Sequence, residues 1–147
     1  MTTNPPSRNG GRWTEARYRS FITSALRAAF RRWPPKFDVL KSAFIDKRIN
    51  KKTGKLASHY RCAKCRKAFP ATGVQVDHTK PVVNTRDGFV TWDTFINNLY
   101  CEEDNLQVMC KACHKLKTAE ERKERNESSK PVSTVGKRNS KRMGQCS

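Results

Sequence analysis

The sequence predicts a small α+β domain built around a four-cysteine zinc site, with a basic helical segment ahead of it and a basic disordered tail behind. Three observations point there. Four of the six cysteines fall into two Cys-x-x-Cys pairs, the spacing of metal ligands. Apolar residues recur at helical period near both ends of the chain and alternate in short runs around and between the cysteine pairs. A chain of 147 residues with 35% hydrophobic and 30% charged side chains has room for one modest core and not for two.

Charge sets the expected partner. Lys and Arg number 31 against 13 Asp and Glu, a formal charge of +18 that repels itself unless a polyanion neutralises it. The excess is +11 over residues 1–60, +3 over 61–118 and +4 over 119–147. This describes a nearly neutral chemical centre between extensions that grip nucleic acid, since affinity for a polyanion grows with the phosphates neutralised. No apolar run approaches the about 18 residues of a membrane span, and MTTNPPSRNGG lacks the apolar stretch of a signal peptide. The expected compartment is the cytoplasm, with no membrane partner, and its reducing chemistry favours thiolate ligands over disulfides.

Taken in order, residues 1–12 carry Pro, Gly, Asn and Arg without periodicity and read as a disordered arm. Thr14 can cap a helix in which Tyr18, Phe21, Ile22, Ala25, Leu26 and Ala29 recur at helical spacing, with Arg17, Arg19, Arg27, Arg31 and Arg32 elsewhere on its surface. Pro34-Pro35 stops it near Trp33. A short helix from about Lys36 to Asp46 follows, then a hairpin of Lys47–Asn50 with Leu56–Arg61 across Lys52-Thr53-Gly54. Val74–Val76 alternates and leads as a strand into Asp77-His78, ended by Pro81. Thr91 caps a helix bearing Trp92, Phe95, Ile96 and Leu99, Leu106–Met109 is a second strand, and the last helix runs from about Ala112 to Arg125.

Cys62-Ala63-Lys64-Cys65 and Cys110-Lys111-Ala112-Cys113 are separated by 44 residues. Each is a zinc knuckle: two intervening residues let both sulfurs reach one ion while backbone amides soften their charge, and two knuckles complete a tetrahedron. With so small a core, structural zinc should stabilise the fold outright. His59 reads as a surface or phosphate-contacting residue, Cys101 as a small buried hydrophobe and Cys146 as a tail residue. The Trp13 to Trp33 aromatics read as core.

Around the knuckles lie Asp77-His78-Thr79-Lys80-Pro81 and then Asn105-Leu106-Gln107-Val108-Met109-Cys110-Lys111-Ala112-Cys113-His114-Lys115-Leu116-Lys117-Thr118. The order His, Asn, His, with Asn105 nine positions before His114 and a Cys-x-x-Cys-His-x-x-Lys-Thr ending, resembles the HNH endonuclease family in its zinc-ribboned, phage-type form. The resemblance covers roughly residues 59–120. It implies a ββα-metal fold, in which one strand delivers Asp77 and His78 and a helix opening at the second knuckle presents His114. It divides the chain into a basic helical extension at 1–58, the HNH domain with its knuckles at 59–126 and a disordered basic tail at 127–147. The function it implies is metal-dependent hydrolysis of phosphodiester bonds in double-stranded DNA, by nicking or cutting. Homing or DNA packaging is the implied setting, the latter with a phage packaging protein as partner and the host cytoplasm as compartment.

The chemistry of these side chains runs the same way. Hydrolysing a phosphodiester requires water to be deprotonated, the phosphate's extra charge to be stabilised and the leaving oxygen to be assisted. His78 is the candidate base, because imidazole titrates near neutrality. Asp77 and His114 offer an oxygen and a nitrogen to one divalent ion, and Asn105 can orient the His78 ring or tie down the loop beside it. Family members with a further metal histidine four residues after the first have no counterpart here, where that position is Thr118. Two protein ligands favour magnesium or manganese over tightly held zinc. Adjacent strand residues face opposite sides, so Asp77 and His78 share a site only if the strand ends there. The expected phosphate contacts are Arg17, Arg27, Arg31, Arg32, Lys51, Lys52, Lys80, Lys115 and Lys117. A non-catalytic zinc-ribbon nucleic-acid-binding protein is the alternative reading, and a nuclease acting on RNA or single strands is the third.

Overall fold

A computed structural model describes residues 5–130. Its elements are α1 (Glu15–Ala29), α2 (Pro34–Ser42), β1 (Phe44–Ile49), β2 (Leu56–Arg61), β3 (Ala68–Pro70), β4 (Val74–His78), α3 (Trp92–Leu99), β5 (Leu106–Cys110) and α4 (Lys111–Ser128). The architecture is α+β, with four helices and two small antiparallel sheets, β1-β2-β3 and β4-β5. Among the described residues no helix is long and apolar enough to cross a membrane.

Capping chemistry fixes the helix starts. Thr14 Oγ1 accepts from the Arg17 N–H and Thr91 Oγ1 from the Thr94 N–H, each satisfying a donor that helix geometry leaves unpaired. α1 passes through one 3-10 turn, Phe30–Arg32, before the prolines. α2 differs from the expected 36–46 at both ends. It begins at Pro34 because the missing proline N–H costs nothing in the first turn, and it ends at Ser42 because Phe44 and the residues after it pair with β2. The hairpin turn is wider than Lys52-Thr53-Gly54: Asn50 Oδ1 accepts from the Lys52 N–H, and Gly54, at φ 67°, supplies the left-handed residue that closes it. β3 is an element the sequence reading did not contain, since three residues carry no measurable alternation.

The expected disordered arm is partly structured. Residues 1–4 lie outside the described residues, but 5–12 fold back so that Arg8 pairs with Trp13 in a short bridge and its guanidinium bonds Glu15 at 2.6 Å. At the other end α4 continues to Ser128, so the expected tail starts later than 127. Residues 131–147, Cys146 among them, lie outside the described residues.

Most of the buried apolar residues fall into two clusters, with Leu106 and Val108 of β5 buried outside them. One is Cys62, Met109, Cys110 and Cys113, flanked by Cys65 and Phe69, and the other is Val82, Phe95 and Leu99, flanked by Leu26, Phe30, Val83, Phe89 and Tyr100. Leu26 and Phe30 of the N-terminal segment pack directly on the second cluster. The Trp33 indole N–H donates to the Cys101 carbonyl at 2.7 Å, and the Tyr100 hydroxyl donates to the Leu26 carbonyl. The aromatic stripe of α1 is therefore divided: Phe30 and Trp33 join the core, whereas Phe21 is 63% exposed.

Candidate metal centre and adjoining polar cavity

The four knuckle cysteines converge. Cys62 and Cys65 lie in the turn between β2 and β3, where the Cys62 N–H bonds the Lys67 carbonyl, the Arg66 N–H returns to the Cys62 carbonyl and Arg66 adopts φ 63°. Cys110 is both the last residue of β5 and the N-cap of α4, its sulfur accepting from the Cys113 N–H at 3.4 Å. All four sulfurs lie within 4.8 Å of one another, and those of Cys65 and Cys110 are 3.9 Å apart. Sulfurs bound tetrahedrally at about 2.3 Å are about 3.8 Å apart, so the cluster has the dimensions of a zinc site. Burial works against the charged form of Cys62, but N–H groups of Cys110, Cys65 and Lys64 outweigh it and bring this thiol down to about 6. Cys113 is pushed up to about 12, first by its bond to the Cys110 sulfur and then by burial. Four sulfurs so close cannot all carry charge without a cation among them, and this donor set suits zinc. His59 is no part of the cluster and is not at the surface either: it is 7% exposed, with Nδ1 bonded to the Ala57 carbonyl at 2.9 Å. Cys101 is half-buried, and burial raises its thiol above the usual range.

About one helical turn further along α4 lies a polar cavity of about 130 Å³, lined by Arg27, Asp77, His78, Lys117, Glu121 and Arg125 together with residues of the 81–83 loop. β4 ends at His78, and the chain bends away at Thr79. This strand end lets two adjacent residues border one cavity. His78 is 9% exposed: its ring lies 4.8 Å from that of Phe30, and Nε2 is 2.8 Å from the Leu99 carbonyl. A carbonyl only accepts, so Nε2 carries a proton, and Nδ1 is the acceptor whenever the ring is neutral. Asn105, expected either to orient this ring or to tie down the loop, does the second. Its Oδ1 accepts from the Lys80 N–H at 3.0 Å and its carbonyl from the Thr79 N–H at 2.8 Å, pinning the two residues that follow His78.

Asp77 divides its oxygens between two residues of α4. Oδ1 is 3.7 Å from His114 Nε2, too far for a hydrogen bond. Adjacent ligands of an octahedral ion at about 2.1 Å are about 3 Å apart, so this pair stands about 0.7 Å wider than one divalent cation would hold it. Oδ2 is 2.8 Å from Lys117 Nζ, yet makes no properly directed hydrogen bond and is the one buried side-chain polar atom among the described residues without such a partner. The donor pair open to a hard cation is therefore Oδ1 with His114 Nε2, while Oδ2 is paired with Lys117.

Lys117, expected to contact phosphate, is placed otherwise. It is 17% exposed and held by Asp77, by Glu121 Oε1 at 2.7 Å and by the His78 carbonyl at 2.8 Å. Burial disfavours its charge, but the two carboxylates prevail and hold the ammonium above its usual range. Arg27 borders the cavity, while Arg17, Arg31, Arg32, Lys51, Lys52, Lys80 and Lys115 are exposed. The sequence reading missed Glu121 and Arg125. The spacing of His114, Lys117 and Glu121 along one helix face was a signal that could have found Glu121.

Comparison with protein-family models, with curated proteins and with solved structures finds no match to this chain.

Proposed function

We propose that this chain is a metal-dependent endonuclease of the HNH type, with a ββα unit formed by β4, β5 and α4, that hydrolyses phosphodiester bonds of double-stranded DNA. One observation carries the reading. At the end of β4, His78 and Asp77 border one cavity, and Asp77 Oδ1 lies 3.7 Å from His114 Nε2. A candidate base and two candidate divalent-ion ligands are neighbours there.

His78 Nδ1 takes a proton from water, and the resulting oxygen forms a bond to phosphorus as the bond to the leaving 3′ oxygen breaks. That oxygen takes a proton from solvent, and the imidazolium returns its own. Leu99 keeps the ring in the required tautomer, and Asn105 holds the backbone beside it. Asp77 and His114 would hold magnesium or manganese, or zinc in its place. The ion supplies charge for the phosphate oxygens and the leaving group. The exposed basic residues of α1, of the β1–β2 turn and of α4 would track the flanking backbone. The combination of small size and high positive charge accords with a phage setting, homing or packaging, and with a packaging protein as a second partner.

The competing reading, a zinc-ribbon module that binds nucleic acid without cutting it, draws on the Lys117–Asp77–Glu121 ion pairs, which neutralise Asp77 with no ion present. Incubating pure protein with supercoiled plasmid, with and without magnesium, manganese or zinc, separates the two. The nuclease gives relaxed or linear product only with a divalent ion. Binding with no nick under any ion refutes it.

A further inference from the structure

We propose that α1 completes the site: the guanidinium of Arg27, with Arg125 on α4, grips the non-bridging oxygens of a single phosphodiester in the cavity beside Asp77 and His78. The proposal rests on the nuclease reading for the identity of the substrate.

Charge points to an anion. The cavity's lining holds three cations, Arg27, Lys117 and Arg125, and two carboxylates, Asp77 and Glu121. Both carboxylates are paired to Lys117, and neither arginine takes part in an ion pair among the described residues. Two arginines therefore border the cavity without an ion-pair partner among the described residues, and a planar fork of donors suits phosphate oxygens. Size points to one phosphoryl group. At about 130 Å³ the cavity is far smaller than the roughly 300–1,000 Å³ of sites that enclose whole small molecules, so sugars and bases stay outside.

Arg27 is also placed rather than free. Its guanidinium carbon lies 5.5 Å from the ring centroid of Phe95, which is 3% exposed. The neighbouring Leu26 carbonyl is held by the Tyr100 hydroxyl, and Phe30, three residues on, lies against the His78 ring. The helix that carries Arg27 is thus registered against the candidate base itself.

The test uses the full chain with manganese and two substrates: supercoiled plasmid, and bis(p-nitrophenyl) phosphate, a diester with one phosphate and no flanking backbone. Arg27→Ala should lower kcat/KM on the small diester by about 10- to 100-fold, the scale of one hydrogen-bonded charge, and Arg27→Lys should recover only part. Lys41→Ala, on α2 and outside the cavity, should leave the small diester unaffected. Calorimetric titration with inorganic phosphate gives a readout independent of turnover: the unmutated protein should bind it, and Arg27→Ala and Arg27→Lys should bind it more weakly, with circular dichroism confirming that each variant is folded. If Arg27→Ala cleaves the small diester at the unmutated rate and loses only plasmid affinity, or if the unmutated protein binds no phosphate, the proposal falls. If the unmutated protein cleaves neither substrate yet binds phosphate through Arg27, the nuclease reading falls and the anion site stands.

Discussion

Removing zinc should abolish cooperative folding. Among the described residues the knuckle cluster has, besides its thiols, only Met109 and Phe69 as packed apolar residues. Burial of two such side chains contributes about 3–6 kcal/mol together, whereas structural zinc contributes about 10–16 kcal/mol in comparable small modules. That exceeds or equals the about 5–15 kcal/mol by which whole domains are stable. The metal also joins the β2–β3 turn to the β5–α4 junction, so its loss frees the start of the helix that carries His114 and Lys117. Stripping the protein with a strong chelator, or substituting Cys110→Ala, should eliminate the cooperative thermal transition followed by circular dichroism, and re-adding zinc should restore it only in the unmutated chain. Cys101→Ser, outside the cluster, should keep one zinc per chain by elemental analysis. Acid should act in the same direction as chelation. The Cys62 thiol is lowered from its ordinary value to about 6, so its thiolate contributes stability that is fully present above the ordinary thiol range and is lost as pH falls through about 6. Zinc release should therefore increase, not decrease, on acidification. A metal-free protein that melts at the same temperature, with the same cooperativity, would refute the reasoning.

His78→Ala should abolish metal-dependent nicking by roughly 100-fold or more, and because the ring is buried and bonded to Leu99 it should also cost about 1–3 kcal/mol in thermal or urea unfolding; a variant that nicks at the unmutated rate shows that His78 is not the base. Asn105→Ala should cut activity less than His78→Ala while speeding amide exchange at Thr79 and Lys80, whose N–H groups it holds; unchanged exchange there would leave Asn105 without its assigned role. Trp33→Phe removes the bond to the Cys101 carbonyl and should lower stability by about 0.5–1.5 kcal/mol, with no loss of zinc; an unchanged unfolding curve would mean that this bond contributes nothing to docking the N-terminal segment.

Much of this was legible because the deciding interactions are local. Thr14 and Thr91 cap the helices they were expected to cap, Pro34-Pro35 ends the first helix, and the cysteine spacing placed four sulfurs together before any coordinates were known. The position of Asp77 and His78 at a strand end followed from Pro81 nearby. What the sequence could not supply depends on elements distant along the chain. It could not show that His59 is interior, that Leu99 offers its carbonyl to His78 across 21 residues, or that Lys117 turns inward to two carboxylates instead of outward to phosphate. It placed Arg27 on a detached extension, whereas packing of Leu26 and Phe30 on the Phe95 and Leu99 cluster brings that helix to the edge of the cavity. Periodicity reports which face of an element is apolar, and spacing reports which residues share that face. Which faces meet is decided by the one arrangement that buries them together, and in this chain that arrangement sets two arginines, a lysine, a histidine and two carboxylates around a single small cavity.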